Sequence, residues 1–279
     1  MDVPTRLGPL NVRVTGAGPV AVLWHSLFVD STTWREVEGP LAGERRLVLV
    51  DGPGHGPNPP PARRFTLDDC AGAAADVLDH LGVADPVDWV GNAWGGHVGL
   101  RFAATRPARC RSVAAIGTPV HALGAADRRR SRLLVALYRL FGAGPVVGLL
   151  TKALVGSDAH AAEVVGAAFR RAGRRGMVTA IESISLRRPD LTPELPSIGV
   201  PTLLSTGQND PMWTVADARA AAALLPRGAL VVLPGAGHVG PLFAAPAEVV
   251  ELLRAFWRQP DEVVARASSP STNAWRPST

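Results

Sequence analysis

The sequence predicts an α/β protein: a mostly parallel twisted sheet with helices on both faces and a helical cap inserted after the sixth strand. Short runs that are apolar on both faces alternate with helical segments, which is typical of a parallel sheet covered on both sides. Residues 121–195 contain helical patterns and no strand pattern. With 279 residues, 47% of them hydrophobic, the chain is long enough for one large core.

The N-terminal half begins with two short strands, VPTRL and LNVRVTG, around the turn dipeptide Gly8-Pro9. Four buried strands follow in this half: VAVLWHS (20–26), RRLVLVD (45–51), VDWVGNA (87–93) and SVAAIGT (112–118). Helices are predicted between these strands, at 31–43, from Thr66 to about Leu81, and from the end of the third buried strand to about Thr105. The second of these helices begins with TLDD, which has the spacing of a capping box.

The C-terminal half resumes the strand and helix alternation after the insertion. Its strands are PTLLSTGQ (201–208) and ALVVLPG (229–235), and its helices are VADARAAAALLP and PAEVVELLRAFWR. The last residues are polar and contain proline and serine, which is typical of a frayed terminus. The predicted organisation is a core of residues 1–120 and 196–259, a cap of residues 121–195 and a flexible tail of residues 260–279.

The composition argues against several classes of function. The net charge is +5, but the arginines are scattered and no basic stripe is interleaved with aromatic residues, so nucleic-acid binding is not expected. No stretch of about 20 apolar residues predicts a membrane span. The N-terminus lacks a secretory pattern, and Cys70 and Cys110 are expected to be separate buried thiols. These features predict a cytoplasmic protein.

No cofactor is predicted. The histidines and cysteines show neither HExxH nor CxxC spacing, so a metal site is not expected. GAGHVG at 235–240 matches a dinucleotide fingerprint by spacing, but only one helix and a tail follow it, where a βαβ unit is required.

Residues with polar or ionisable side chains follow the predicted strands, at the carboxyl ends where open α/β sheets bind ligands. Five such loops occur in order: HSLF at 25–28, DGPGHG at 51–56, GNAWGG at 91–96, GQNDP at 207–211 and GAGH at 235–238. The third has the glycine pattern of a sharp strand-to-helix turn, which projects its central side chain over the sheet. That central residue is Ala93.

Taken together, the five loops resemble those of the α/β-hydrolase superfamily, and the resemblance spans about residues 3–258. It implies that Ala93 occupies the position of a nucleophilic serine, that His238 is the general base and that Asp210 orients it. The backbone N–H groups of Leu27 and Trp94 would form an oxyanion hole.

Around these residues, we expect the substrate pocket to include His25, Phe28 and Trp213. For Trp213 and its neighbour Met212, packing in the core is an equal alternative. For His25, bracing of its loop is the more ordinary role, as it is for His55, and His97 is expected to pack behind the site. The leucines, valines and alanines of the cap favour a small apolar or amphipathic molecule as the substrate, with hydrolysis of an ester or acyl bond as the family's usual reaction.

Ala93 departs from the family pattern, because a methyl group cannot form an acyl-enzyme. Three explanations remain open. Alanine could be an engineered replacement of serine. Alternatively, the native protein could use the His238–Asp210 pair as a general base, in lyase-like proton transfer or in activation of water. Finally, the protein could bind a ligand without catalysis. The sequence leaves the oligomeric state open.

Overall fold

The computed structural model of the chain describes residues 1–236, 238–239 and 241–267. Its sheet has eight strands in the order β1-β2-β4-β3-β5-β6-β7-β8. The strands are β1 (Asp2–Thr5), β2 (Gly8–Thr15), β3 (Val20–Trp24), β4 (Arg46–Val50), β5 (Val87–Asn92), β6 (Cys110–Ile116), β7 (Thr202–Asn209) and β8 (Gly228–Ala236). β1 and β2 pair antiparallel with their neighbours, and the other strands are parallel. The predicted mostly parallel sheet is therefore confirmed.

Helices connect the strands and cover the sheet. They are α1 (Arg35–Ala42), α2 (Leu67–His80), α3 (Trp94–Thr105), α4 (Ala125–Phe141), α5 (Gly144–Val155), α6 (Ala159–Arg171), α7 (Arg174–Ala180), α8 (Val215–Leu224), α9 (Pro241–Ala244), α10 (Pro246–Arg258) and α11 (Pro260–Ala267). At the start of α2, Thr66 and Asp69 form the predicted capping box.

The central strands are buried on both faces, as their continuous apolar sequences require. All six residues of β5 are buried, and so are the last four residues of β3 and β4. Aromatic rings join the middle of the sheet to α3. The rings of Trp24 and Trp89 stack at 6.1 Å, and Trp89 stacks on Phe102 at 5.2 Å. This packing gives the loop between β5 and α3 a rigid base.

Helices α4 to α7 and a π-helical turn (Ile181–Ser185) lie between β6 and β7, so the insertion follows the sixth strand as predicted. The insertion packs on the loops that follow β3 and β4. Arg171 of α6 forms an ion pair with the buried Asp30. The backbones of Gly54 and Gly176 touch so closely that a Cβ on Gly54 would lie 2.8 Å from the Gly176 carbonyl oxygen.

Two local predictions need correction. The first hairpin turns at Arg6 and Leu7, because Thr5 pairs with Gly8 and Gly8-Pro9 belongs to the second strand. In addition, residues 260–267 are not a flexible tail but form α11. Pro260 begins this helix, two acidic residues follow in its first turn, and Val263 is buried. Residues 268–279 lie outside the described residues.

Candidate active site

The turn between β5 and α3 has the strained backbone that its sequence predicts. Ala93 has φ 47° and ψ −104°, and its N–H donates to the Ile116 carbonyl at 2.8 Å. Among the described residues, Ala93 and Phe28 (φ 78°) are the non-glycine residues with positive φ. Such conformations cost of order 1–3 kcal/mol and persist where the surrounding structure holds them, often at functional sites.

Close packing explains the glycines of this turn. A Cβ on Gly95 would lie 1.8 Å from the Trp24 carbonyl oxygen, and one on Gly91 would lie 2.1 Å from the Gly95 carbonyl carbon. A Cβ on Gly96 would lie 2.0 Å from the Thr118 hydroxyl oxygen. Strand and helix therefore approach each other at distances that only glycine permits, and Ala93 is held at the end of the strand.

The structure brings the predicted acid and base together. His238 Nδ1 lies 3.0 Å from Asp210 Oδ2, and both side chains are buried. The other carboxylate oxygen of Asp210 accepts hydrogen bonds from the backbone N–H groups of Met212 (2.8 Å) and Trp213 (3.2 Å). These bonds hold the carboxylate so that it accepts from Nδ1–H, which leaves Nε2 as the basic atom of the imidazole. Gly237, in the loop that carries His238, lies outside the described residues.

A cavity of about 570 Å³ lies beside these residues, a size that suits a small molecule. Most of the predicted site residues line it: Leu27, Phe28, Ala93, Trp94 and His238. Asp210 is not among the lining residues and contacts His238, which is. The insertion supplies much of the remaining lining, including Leu134, Leu150, Leu154, Ile184 and Arg188.

The backbone N–H groups of Leu27 and Trp94 lie at the cavity beside Ala93, and neither has a backbone acceptor in the described part of the chain. Trp94 is the first residue of α3, where N–H groups have no partner within the helix. The next N–H, of Gly95, donates to the His25 carbonyl at 3.1 Å and joins the loop after β3 to the helix. The phenyl ring of Phe28 meets Phe169 of α6 edge to face at 6.1 Å, which joins this loop to the insertion.

His25 does not line the cavity, contrary to its assignment to the substrate pocket. Its Nδ1 lies 2.7 Å from the Ser26 carbonyl oxygen, and its Nε2 accepts from the Gly52 N–H at 2.9 Å. Complete burial lowers its pKa, which is consistent with a neutral imidazole. The ring thus braces the loops after β3 and β4, and His55 packs beside it with a pKa lowered to about 3 by burial.

Trp213 is also outside the cavity lining. Its side chain is 1% exposed, and its carbonyl oxygen accepts from the Thr206 hydroxyl at 2.7 Å. The indole is part of the packing under the acid loop, where it contacts the His121 ring at 5.7 Å. Its neighbours Met212 and Thr214 line the cavity in its place.

Two buried ionisable residues of the cavity lining were not predicted to lie there. His97, which was expected behind the site, lines the cavity, and Arg188 comes from the end of the insertion. Arg188 Nη1 lies 2.7 Å from His97 Nε2. No sequence signal pairs these residues, because they are 91 positions apart and Arg188 stands in an ordinary Leu-Arg-Arg-Pro segment. In the described part of the chain, no cluster of three His, Cys, Asp or Glu side chains could hold a metal ion.

Comparison with known proteins agrees with this architecture. The sequence profile of the alpha/beta hydrolase family matches residues 21–252, and the chain belongs to that family. It is 30% identical over 258 residues to a pimeloyl-[acyl-carrier protein] methyl ester esterase of Stenotrophomonas maltophilia, with 88% of this chain and 96% of the relative covered. The corresponding esterase of Xanthomonas oryzae pv. oryzae is also 30% identical, over 264 residues.

Solved structures give the same fold. A thermophilic esterase from Thermogutta terrifontis has a TM-score of 0.85 and 25% identity, with 94% of this chain and 98% of that chain covered. An enol-lactonase from Burkholderia xenovorans LB400 has a TM-score of 0.85 at 22% identity, with 92% and 100% covered. The relatives are thus hydrolases that act on esters. No helix in the described part of this chain is long and apolar enough to cross a lipid bilayer.

Proposed function

We propose that the protein hydrolyses a small apolar or amphipathic ester without an acyl-enzyme intermediate. In this reaction His238 Nε2 removes a proton from water as the water oxygen attacks the ester carbonyl, and Asp210 stabilises the resulting imidazolium. The N–H groups of Leu27 and Trp94 stabilise the oxyanion. The alkoxide then leaves with the proton from His238, so the products are a carboxylic acid and an alcohol.

The observation that carries this proposal is the intact His238–Asp210 pair beside a cavity at which only the nucleophile atom is absent. Two backbone N–H bonds hold the Asp210 carboxylate in place, and the 3.0 Å contact orients the imidazole. In serine hydrolases that lack a member of the triad, the oxyanion hole and substrate binding retain about 10³–10⁴-fold catalysis over water. The methyl group of Ala93 also leaves room for a water molecule where a serine hydroxyl would stand.

The relatives support an ester as substrate, because both the Stenotrophomonas and the Thermogutta proteins are named esterases. The apolar lining from the insertion supports a small apolar or amphipathic molecule. We infer that residues 121–195 act as a cap over the core formed by residues 1–120 and 196–259. We also predict that the enzyme is cytoplasmic and that its substrate is a small molecule. We expect neither a nucleic-acid nor a membrane partner.

The first test is the substitution Ala93→Ser, assayed with short p-nitrophenyl esters and a fluorophosphonate probe. We expect the hydroxyl to create a complete triad and to raise kcat/KM by about 10³-fold or more, because loss of the nucleophile is among the largest single effects in such enzymes. The matched control is the Ala93→Ser/His238→Ala double variant, which should lose the gain. A folded Ala93→Ser variant that is inert in both assays would contradict a competent oxyanion hole and favour a binding protein.

The second test asks whether the alanine protein itself turns over substrate. His238→Ala should abolish its slow ester hydrolysis, and Asp210→Asn should reduce it, because each removes part of the general base. His80→Ala, a substitution of an exposed histidine outside the cavity lining, is the control. Unchanged turnover in His238→Ala would contradict the proposed water activation.

A further inference from the structure

A buried cation that lacks an anionic partner lines the cavity. The side chain of Arg188 is 8% exposed, and it forms no ion pair with any carboxylate in the described ranges. Its Nη2 donates to the His121 carbonyl at 2.8 Å, and its Nη1 contacts the Pro119 carbonyl oxygen and His97 Nε2. At least two of its five N–H groups, including Nε–H, have no acceptor within residues 1–236, 238–239 and 241–267.

The surroundings of Arg188 do not neutralise its charge. Burial lowers its pKa to about 10, so the guanidinium is still charged at neutral pH; the exposed Asp190 opposes this shift but forms no ion pair with it within the described residues. His97 does not neutralise Arg188, because its imidazole is itself neutral: burial lowers the pKa of His97 well below the usual value. A buried cation without an anion is unfavourable, and proteins usually pair such groups.

The charged groups at the mouth of the cavity do not provide that partner. Asp127, Arg130 and Asp217 line the cavity but are exposed. Asp127 pairs with Arg130 at 3.3 Å, and Asp217 accepts from the Thr214 hydroxyl at 2.6 Å. Arg188 is therefore the buried arginine of the lining, and its free N–H groups remain available to a ligand.

Arg188 also lies close to the position where the reaction would take place. The His97 N–H donates to the Ala93 carbonyl at 3.0 Å, so the two residues are one helical turn apart. Four residues correspond to about 6 Å along the helix axis. Since Arg188 contacts the His97 imidazole, the positive charge lies within a short acyl chain's length of Ala93.

We propose that Arg188 is a specificity residue that binds a carboxylate of the substrate, so that the preferred ligands are esters with a free carboxylate at the other end of a short chain. The two free N–H groups form a charge-assisted pair of hydrogen bonds to the carboxylate oxygens. The ester end then lies at Ala93, between Leu27, Trp94 and His238. That ester chemistry depends on the proposed function, whereas carboxylate binding does not.

The test measures binding to the alanine protein by calorimetry at pH 7.5. The probes are monomethyl glutarate and monomethyl adipate, each compared with its dimethyl ester. At least one half-ester should bind about 10- to 100-fold more tightly than its diester, because a hydrogen-bonded ion pair is replaced by a neutral contact. Equal binding of both forms, or no binding of either half-ester, would overturn the proposal.

Variants separate recognition from a purely structural role. In Arg188→Gln, which keeps N–H donors for the Pro119 and His121 carbonyls, the preference should fall below about threefold; the rim control Arg130→Gln should keep it. Arg188→Lys keeps the charge without the planar fork and should show an intermediate preference. A preference that survives in folded Arg188→Gln would overturn the assignment. If that variant does not fold, the lysine variant and the unsubstituted protein still decide the question.

The two proposals fail in different ways. If Ala93→Ser hydrolyses no ester but the half-ester preference depends on Arg188, the pocket binds anions and the hydrolytic proposal is wrong. If the alanine protein hydrolyses neutral esters and half-esters equally well and His238→Ala abolishes that turnover, the hydrolytic proposal stands and Arg188 does not select the substrate.

Discussion

Two arginines that are equally buried lie at opposite ends of the parallel strands. Arg45 and Arg188 are each 8% exposed. Arg45, before β4, donates to the fully buried Asp88 at 3.2 Å and stacks over the Trp257 ring at 5.0 Å. Asp88 also accepts from Arg111 and, at 2.6 Å, from the Ser112 hydroxyl.

At this end of the sheet, where the parallel strands begin, the buried charges of Arg45 and Asp88 each have a partner of opposite charge. Arg188, at the end of the sheet where the strands end, contacts carbonyl groups and an imidazole but no carboxylate of the described residues. The first arrangement is complete within the protein and stabilises the fold. The second is incomplete until an anion enters, which is the property expected of a binding site at the carboxyl ends of the strands.

The largest effect on stability is expected from Asp88→Ala. The substitution leaves Arg45 buried without a carboxylate and should lower the free energy of unfolding by about 3–5 kcal/mol. Urea denaturation checks this value, with Asp79→Ala as the control, since Asp79 forms an exposed pair with Arg109 worth at most about 1 kcal/mol. A loss in Asp88→Ala no larger than in the control would show that the two ends of the sheet do not differ as argued.

By contrast, Arg188→Met should change the free energy of unfolding by no more than about 1 kcal/mol. Loss of the hydrogen bonds to Pro119, His121 and His97 is offset by removal of a buried, unpaired charge. The same denaturation experiment measures the change. A loss of about 3 kcal/mol or more would mean that Arg188 is chiefly a structural clamp, like Arg45.

Low pH should lower the free energy of unfolding through the buried histidines in the loops at the carboxyl ends of the strands. Burial holds the pKa of His55 at about 3, against 6.5 for an exposed histidine. As the pH falls from 6.5 towards 3, the unfolded chain therefore binds a proton that the folded chain does not, and stability decreases. Between pH 7 and pH 5 this group accounts for about 2 kcal/mol of the loss. His55→Gln should reduce the loss by that amount, whereas His80→Gln, at the exposed end of α2, should not; equal slopes in the two variants would contradict the prediction.

A small gain in stability is expected at the turn itself. Ala93→Gly relieves the positive φ and should stabilise the protein by about 0.5–1 kcal/mol, after allowing for the greater freedom of glycine in the unfolded chain. Ala220→Gly, in the exposed middle of α8, should instead destabilise by about 1 kcal/mol. Thermal unfolding of the two variants compares these effects, and a loss in Ala93→Gly similar to that in Ala220→Gly would show that the turn is not strained.

The amino-acid sequence by itself determined the fold class and the position of the candidate site. Strand and helix periods are local patterns, so the alternation and the insertion after the sixth strand were predictable. The glycines around Ala93 also report on local geometry, since each one excludes a Cβ from a close contact with the next element. Because parallel strands end at the same edge of the sheet, the order of the loops was enough to bring Asp210 and His238 together.

Only the tertiary structure decided which side chains line the cavity. His25 and Trp213 follow strand ends as a pocket residue would, yet the His25 ring braces two loops and the Trp213 indole is buried outside the cavity lining. Arg188 reaches His97 through the packing of the insertion on the core, across 91 positions in sequence. A side chain's direction and its long-range partners depend on how separate elements pack, and no local pattern records that packing.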